Sequence, residues 1–319
     1  MTTLAAIEAA AHRMRGHVRT TPLLNAPLLD RLAGRRIFVK AECLQVTGSF
    51  KARGGWAAVS ALPPGAGVLA MSSGNHAQGV AWAAAAHGVA AVILMPSDAP
   101  QVKIANTRAY GAEVVLYDRA TEDRDALAAR LSAERGLLLV PPFDHPEVIA
   151  GQGTTGLEIA AQAAEAGITA ADVLVCCGGG GLAAGIATAL AAKAPALRVR
   201  TAEPEGFDDM ARSLATGQPQ RNAAATGSVC DAILTPSPGR LTLPVLQRLA
   251  GPGVAVSDDQ ALRAVALAFT HLRIVAEPGG AVALAAALFG EDLPDTVICT
   301  VSGGNVDPAL FRDTLARHA

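Results

Sequence analysis

Aromatic side chains are scarce: Phe, Tyr and Trp make up 3% of the 319 residues, although 51% are hydrophobic. The core must therefore be built from Ala, Val, Leu and Ile. An excess of one charge is also missing. Twenty-six basic residues stand against 28 acidic ones, a formal net charge of −2. No long like-charge run breaks that balance, so nucleic acid is not an expected partner. Cys43, Cys176, Cys177, Cys230 and Cys299 form no Cys-x-x-Cys pair, and an odd number does not suit a secreted disulfide framework. Buried reduced thiols in a cytoplasmic protein are expected instead. Long apolar runs are absent as well. The longest, residues 80–95, is interrupted by His87-Gly88 and is too short to span a bilayer comfortably. Residues 1–18 carry Glu8, His12, Arg13 and Arg15 where a signal peptide would have its apolar block. A soluble protein with no membrane partner is expected.

What is present is alternation. Short β-rich runs at 37–40, 68–71, 91–95, 113–117, 137–140, 173–177, 199–202 and 297–301 alternate with Ala-rich stretches such as 78–86, 123–134, 154–166 and 183–192. Most of the runs are continuously apolar, as parallel strands covered on both faces require. The stretches between them are good helix formers. An α/β fold with parallel sheets flanked by helices follows. Eight or more strands suit two sheets better than one. Prolines interrupt the pattern at Pro141-Pro142-Phe143-Asp144-His145-Pro146, and a softer break lies at Leu62-Pro63-Pro64-Gly65.

Ligands of open α/β sheets bind where loops leave the carboxyl ends of strands, and four such ends carry small or polar clusters. In Thr47-Gly48-Ser49-Phe50-Lys51-Ala52-Arg53-Gly54-Gly55, Lys51 opens a helix, where the dipole disfavours a cation and lowers an amine's pKa. That suits a Schiff-base lysine; a lysine snorkelling into water is the plain alternative. Ser72-Ser73-Gly74-Asn75-His76-Ala77-Gln78-Gly79 combines hydroxyls, an amide and a helix N-terminus, a cradle for a carboxylate. Simple capping would need only one of these residues. Gly178-Gly179-Gly180-Gly181-Leu182 lets successive N–H groups converge on an anion such as phosphate. No Gly-Lys-Ser/Thr follows, so it is not a Walker A loop. Ser302-Gly303-Gly304-Asn305 ends the last strand and could be only a turn. A fifth pattern, Gly151-Gln152-Gly153-Thr154-Thr155-Gly156, fits the dinucleotide fingerprint. It follows prolines rather than a strand, which argues against a nicotinamide dehydrogenase.

In this order the four clusters resemble the fold-type II pyridoxal-phosphate enzymes, and within them the serine/threonine dehydratase and serine racemase family. The resemblance runs from about Leu4 to the last strand. It implies a tryptophan-synthase-β-like architecture with a large cofactor-binding domain, residues 1–60 and 146–319, and a small mobile one, residues 66–144. Lys51 would hold pyridoxal 5′-phosphate as an internal aldimine beside Phe50. Asn75 would bond the phenolic oxygen, Gly178, Gly179, Gly180 and Gly181 the phosphate, and Ser302 would face the pyridine nitrogen. Glu277 belongs to the same cofactor set. Ser72, Ser73, Asn75 and His76 look like the loop that closes on the substrate carboxylate. A serine opposite the ring nitrogen does not enforce a pyridinium, which suits β-elimination better than full carbanion stabilisation. The implied activity is an ammonia-lyase that converts threonine or serine to a 2-keto acid and ammonia, with Lys51 as general base. The alternatives are a threo-3-hydroxyaspartate dehydratase, or a serine or aspartate racemase using Ser73 as second base.

Three further matches bear on the relationship. Glu203, Phe207 through its carbonyl, and Asp209 match the family's divalent-cation site, suited to Mg²⁺ or Ca²⁺; capping of a helix by Asp208 or Asp209 competes with that reading. Arg124 matches an arginine near bound dicarboxylates, with a solvated helix face as the alternative. Cys230-Asp231-Ala232 and Glu277-Pro278-Gly279-Gly280 depart from the usual Ala-Asp-Gly and Glu-Pro-Ser/Thr. Those departures leave substrate preference open. The family suggests a homodimer, and because the chain ends at Ala319 no C-terminal regulatory domain is expected.

Overall fold

The computed structural model describes residues 2–99, 101–118 and 120–319, with Val102 described by its backbone alone. Ten strands among them form two sheets. The first five are β1 (Leu23–Leu24), β2 (Arg36–Ala41), β3 (Gly67–Met71), β4 (Ala91–Pro96) and β5 (Glu113–Tyr117). The rest are β6 (Leu137–Leu139), β7 (Ala171–Cys176), β8 (Leu197–Pro204), β9 (Val254–Val256) and β10 (Thr296–Val301). One sheet runs β1-β2-β10-β7-β8-β9, the other β5-β4-β3-β6. All pairings are parallel except the short β1 against β2. All eight apolar runs of the sequence are strands. β7 is buried at every position, and β4 likewise, as sheets covered on both faces demand.

Helices cover those faces. They are α1 (Leu4–Met14), α2 (Pro27–Ala33), α3 (Lys51–Val59), α4 (Asn75–His87), α5 (Gln101–Ala109), α6 (Arg124–Arg135) and α7 (Pro146–Glu165). After them come α8 (Gly181–Lys193), α9 (Asp209–Thr216), α10 (Thr242–Leu249), α11 (Asp258–Leu267), α12 (Pro278–Phe289) and α13 (Pro308–His318). In α12 every residue from Pro278 to Leu288 is buried, the signature of a helix enclosed within a core rather than laid on a surface. Small Ala side chains let such helices pack closely against β7, β8 and β10.

The dinucleotide-like pattern lies in the middle of α7 and follows no strand, so the fingerprint's structural context is missing. Its glycines serve helix packing. A Cβ on Gly151 would come within 2.6 Å of the Arg53 carbonyl, and one on Gly156 within 2.9 Å of Ile186 Cα and Ala189 Cβ. Close contact of this kind brings α7 against both α3 and α8.

Strand order brings the functional loops together. β10 lies between β2 and β7, so the turn after β10 sits beside the loop after β2 and the loop after β7. Backbone contacts lace them: Phe50 N donates to Ser302 O at 3.0 Å, Gly304 N to Gly48 O at 2.9 Å, and Ser49 bridges Gly303. Among the described residues no helix is long and apolar enough to cross a membrane. All five cysteines are free and buried.

Candidate active site

A cavity of about 230 Å³ opens where these loops meet. Phe50 and Lys51 enter its wall from the start of α3, and Ser72, Ser73, Asn75 and His76 from the start of α4. Gly178, Gly179, Gly180 and Gly181 line it ahead of α8, with Glu277, the N-cap of α12.

Lys51 is buried. Its Nζ donates to the Pro142 carbonyl at 2.5 Å and lies 5.0 Å from the centre of the Phe50 ring. Burial pushes the amine down to about 8, because the neutral form is favoured away from water. His76 is buried beside it. Its Nε2 meets the Val140 carbonyl at 2.8 Å; a carbonyl only accepts, so Nε2 carries the hydrogen and Nδ1 is left as an unpartnered acceptor. Burial, reinforced by Lys51, lowers its pKa to about 3, so the ring is neutral near pH 7.

Asn75 is held from two sides. Its Nδ2 donates to Glu277 Oε1 at 2.5 Å, and its Oδ1 accepts from Asn305 Nδ2 at 2.7 Å. Asn305 Nδ2 also donates to the Thr47 carbonyl at 2.9 Å. Asn305 therefore fixes which end of the Asn75 amide is the donor. Burial raises Glu277 to about 7, despite the Asn75 hydrogen bond.

The glycine loop is anchored from behind. The Gly179 carbonyl accepts from Gly239 N at 3.1 Å and Thr242 Oγ1 at 2.6 Å. The N–H groups of the first turn of α8 lack intrahelical acceptors, at the end of the helix that lines the cavity. Gly180 has φ +90° as the N-cap, a conformation that disfavours any side chain.

Two expected residues lie elsewhere. Ser302 is not among the residues lining the cavity; it is buried next to Cys176, which does line it. Arg124 is also outside the wall. It is the first residue of α6 after the Asp123 cap, and its guanidinium pairs with Asp125 at 3.0 Å in a half-exposed position. In this structure Arg124 fits the solvated-face alternative rather than a place in the cavity wall.

Glu203 near the end of β8, Phe207 in the loop after it and Asp209 at the start of α9 are all buried. Glu203 accepts from the backbone N–H of Met210 and Ala211 at 2.9 and 2.8 Å. Glu203, rather than Asp208 or Asp209, thus satisfies the start of α9, whose N-cap Asp208 makes no side-chain cap bond. Asp209 Oδ1 accepts from Asn222 at 2.6 Å, while its Oδ2 is buried with no partner. Burial raises both carboxyls, Asp209 to about 6. Among the described residues no group of three or more His, Cys, Asp or Glu side chains is arranged to hold a metal.

Sequence reasoning did not single out Lys103, Phe143, Gln152 and Thr235 as part of this wall. Phe143 was visible only as part of a proline-rich boundary. Lys103 had a signal: it is a cation in the first turn of α5, where the dipole opposes it.

Fold and cavity together place a lysine amine with lowered pKa beside a glycine loop at a helix N-terminus. Residues 14–304 match the family model described as pyridoxal-phosphate dependent enzyme, and the chain belongs to that family, with the fold-type II architecture. It is 38% identical over 311 residues to an L-threo-3-hydroxyaspartate ammonia-lyase from Pseudomonas sp., covering 96% of both chains. The T.th. threonine deaminase superposes with a TM-score of 0.91 at 47% identity, over 96% of this chain and 99% of the other. Maize serine racemase gives a TM-score of 0.91 at 34% identity, over 99% and 98%.

Proposed function

We propose that this chain is a pyridoxal-phosphate ammonia-lyase that removes water and then ammonia from a small β-hydroxy amino acid, threonine or serine. The observation that carries the reading is Lys51: an amine with a lowered pKa that lines the cavity with the glycine loop of Gly178 to Gly181 and the turn of Ser72 to His76. The polar groups suit the cofactor. Buried atoms without protein partners face the need for a ligand: His76 Nδ1, Thr235 Oγ1 and both atoms of the Gln152 amide, all from residues of the cavity wall.

In this reading Lys51 Nζ holds the cofactor beside Phe50, the N–H groups from Gly178 to Gly181 hold its phosphate, and Asn75 donates to its phenolic oxygen. Glu277 would keep the Asn75 amide in place, and Ser302, buried behind the cavity wall beside Cys176, would face the ring nitrogen. When bound, pyridoxal phosphate supplies an electron-withdrawing ring that makes the substrate Cα proton removable. Ser72, Ser73, Asn75 and neutral His76, with the N-terminus of α4, receive the substrate carboxylate. Lys51 Nζ would take the Cα proton as general base as the Cβ–O bond breaks. The hydroxyl leaves with a proton as water, and the released enamine hydrolyses to a 2-keto acid and ammonia. The unit of residues 66–144 carries Ser73 and Asn75, so its closure on residues 1–60 and 146–319 would exclude water.

Ser73 lines the same cavity, and the likeness to serine racemase favours a second reading in which its hydroxyl exchanges the Cα proton on the opposite face. Inversion lost in Ser73→Ala, with elimination retained, would support it. The buried carboxyls of Glu203 and Asp209, the latter with its Oδ2 unpartnered, suit with the Phe207 carbonyl a structural Mg²⁺ or Ca²⁺. The enzyme is proposed to act as a homodimer in the cytoplasm, in keeping with its buried free thiols.

The test is a substrate panel on purified holoenzyme that follows 2-keto acid release. Keto acid from threonine or serine, abolished in Lys51→Ala, supports the reading. No keto acid from any β-hydroxy amino acid refutes it.

A further inference from the structure

A lysine ammonium carries three donors and no acceptor, and buried donors need partners. Among the described residues Lys51 Nζ bonds one acceptor, the Pro142 carbonyl. The opposite shortage lies in the same wall. His76 Nδ1 and the Gln152 amide oxygen are acceptors without partners, on side chains that are 2% and 1% exposed. Thr235 Oγ1 is also unpartnered, but it stands at the glycine loop, where its Cγ2 would lie 3.2 Å from a Cβ on Gly178.

Packing sets both acceptors beside Lys51. His76 Nε2 bonds the Val140 carbonyl and Lys51 Nζ the Pro142 carbonyl. One strap of chain therefore holds both, at points at most about 7 Å apart along it. Helix α4 crosses α3 at this level: a Cβ on Gly79 would come within 2.6 Å of the Lys51 carbonyl. His76 lies one turn before Gly79 on the same face. Gln152 approaches from α7, and its amide rests on Gly54, one turn beyond Lys51, where a Cβ would clash with it. The His76 ring has the wrong polarity for a carboxylate, since its N–H is committed to Val140 and Nδ1 offers a lone pair. Its backbone N–H at the start of α4 remains for that task.

We propose that His76 and Gln152 are positioning residues for the base: with the Pro142 carbonyl, His76 Nδ1 and the Gln152 amide oxygen form a cradle of three acceptors for Lys51 Nζ. The flexible four-carbon stem lets the amine turn into it. When the amine is neutral the cradle holds its two hydrogens aside and leaves the lone pair for Cα. Once Nζ has taken the Cα proton, all three N–H bonds have acceptors. The inference rests on the proposed function, since it supplies partners for the same base.

Gln152→Met and His76→Phe each remove one acceptor and keep the side chain's bulk. The other titratable groups of the wall, Lys103, Asp231, Glu277 and Cys176, stay in place. The test is acetylation of Lys51 by acetic anhydride in the full-length apoenzyme, followed against pH by peptide mass spectrometry. The midpoint should fall by about one unit in each variant, the loss of one hydrogen bond to a charged donor. His76→Gln, which again offers Val140 a donor and the amine an acceptor, should recover most of the shift. In the loaded enzyme the acidic limb of kcat should move the same way, with KM little changed. Midpoints that stay at the wild-type value while cofactor affinity falls would assign both side chains to the cofactor and overturn the inference. Unmoved midpoints with only a lower melting temperature would make them packing residues and overturn it equally. Keto acid release with unmoved midpoints rejects this inference alone, whereas shifted midpoints in an enzyme that releases no keto acid reject the proposed function alone.

Discussion

Lys51 is presented by α3, and α3 is moored by Arg53, two residues further on. The Arg53 guanidinium is buried between two carboxylates. It gives Nε and Nη2 to Glu42 at 2.8 Å each, and Nη1 to Glu158 at 2.7 Å. Glu158 has a second cation, Lys40, at 2.6 Å, so it would not be left bare. Glu42 is fully buried, and without Arg53 it keeps only the Thr21 hydroxyl at 2.6 Å as a direct partner. Arg53→Met should therefore cost about 3–5 kcal/mol at pH 7, the range for a buried charge stripped of its partner. The pH dependence follows from the same geometry. In the wild type burial pushes Glu42 up, but Arg53, aided by Lys40 and the Thr21 hydroxyl, more than offsets it and holds Glu42 below the ordinary carboxylate range. That stability is present above the unfolded pKa and is lost only as pH falls through the lower folded value. In the variant Lys40 and the Thr21 hydroxyl alone oppose burial, which then raises Glu42, so the folded state takes up a proton as pH falls from 7 to 5 and recovers up to about 1.4 kcal/mol per pH unit below its new pKa. Urea denaturation of the apoenzyme at both pH values measures this. The gap between variant and wild type should narrow at pH 5, and Arg53→Met with Glu42→Gln should recover much of the loss. A loss below about 1 kcal/mol, or one that is equal at both pH values, would refute the reasoning.

Cofactor uptake by the apoenzyme should quicken with pH up to about 8 and level off above it, because only the neutral Lys51 amine attacks the aldehyde. Stopped-flow absorbance checks this, and a flat profile below that pH would contradict it. Gly180→Ala places a side chain at φ +90° with its Cβ 2.6 Å from Met210 Cε. It should weaken cofactor binding at least about tenfold in equilibrium dialysis, from a conformational cost of about 1–2 kcal/mol. Asn305→Ala frees the Asn75 amide to rotate; the visible band of the loaded enzyme should shift, and cofactor affinity should fall with little change in apoenzyme melting. Mg²⁺ or Ca²⁺ should raise the melting temperature of wild type by a few degrees relative to a chelated sample, and Asp209→Asn should abolish the difference.

Much of this architecture was legible because its strands are unusually plain. Continuous runs such as 91–95 and 173–177 can be little else than parallel strands buried on both faces, and both sheets contain them. The two short strands escaped notice: Leu23–Leu24 and Val254–Val256 are too brief to carry a pattern. The four clusters at strand ends were recognisable by composition, and strand order explains why they meet, since β10 inserts between β2 and β7. Long-range positions were harder. Arg124 is an exposed first-turn residue and Lys103 a cavity-lining one, yet both open helices as cations. Only the packing of α5 against the cavity separates them. The shared network of Asn305, Asn75 and Glu277 joins residues 202 and 230 positions apart, a coupling that no local pattern encodes. Glu203 as the cap of α9 was hidden for the same reason: it reaches the helix from the preceding strand rather than from the cap position.

The central claim is that Lys51 carries the cofactor. Borohydride reduction of the loaded enzyme, followed by peptide mass spectrometry, tests it most directly. One reduced pyridoxyl-phosphate adduct per chain is expected, on the peptide containing Lys51, and none in Lys51→Ala. An adduct on Lys103 or another lysine of the wild type, or none at all after loading, would contradict it.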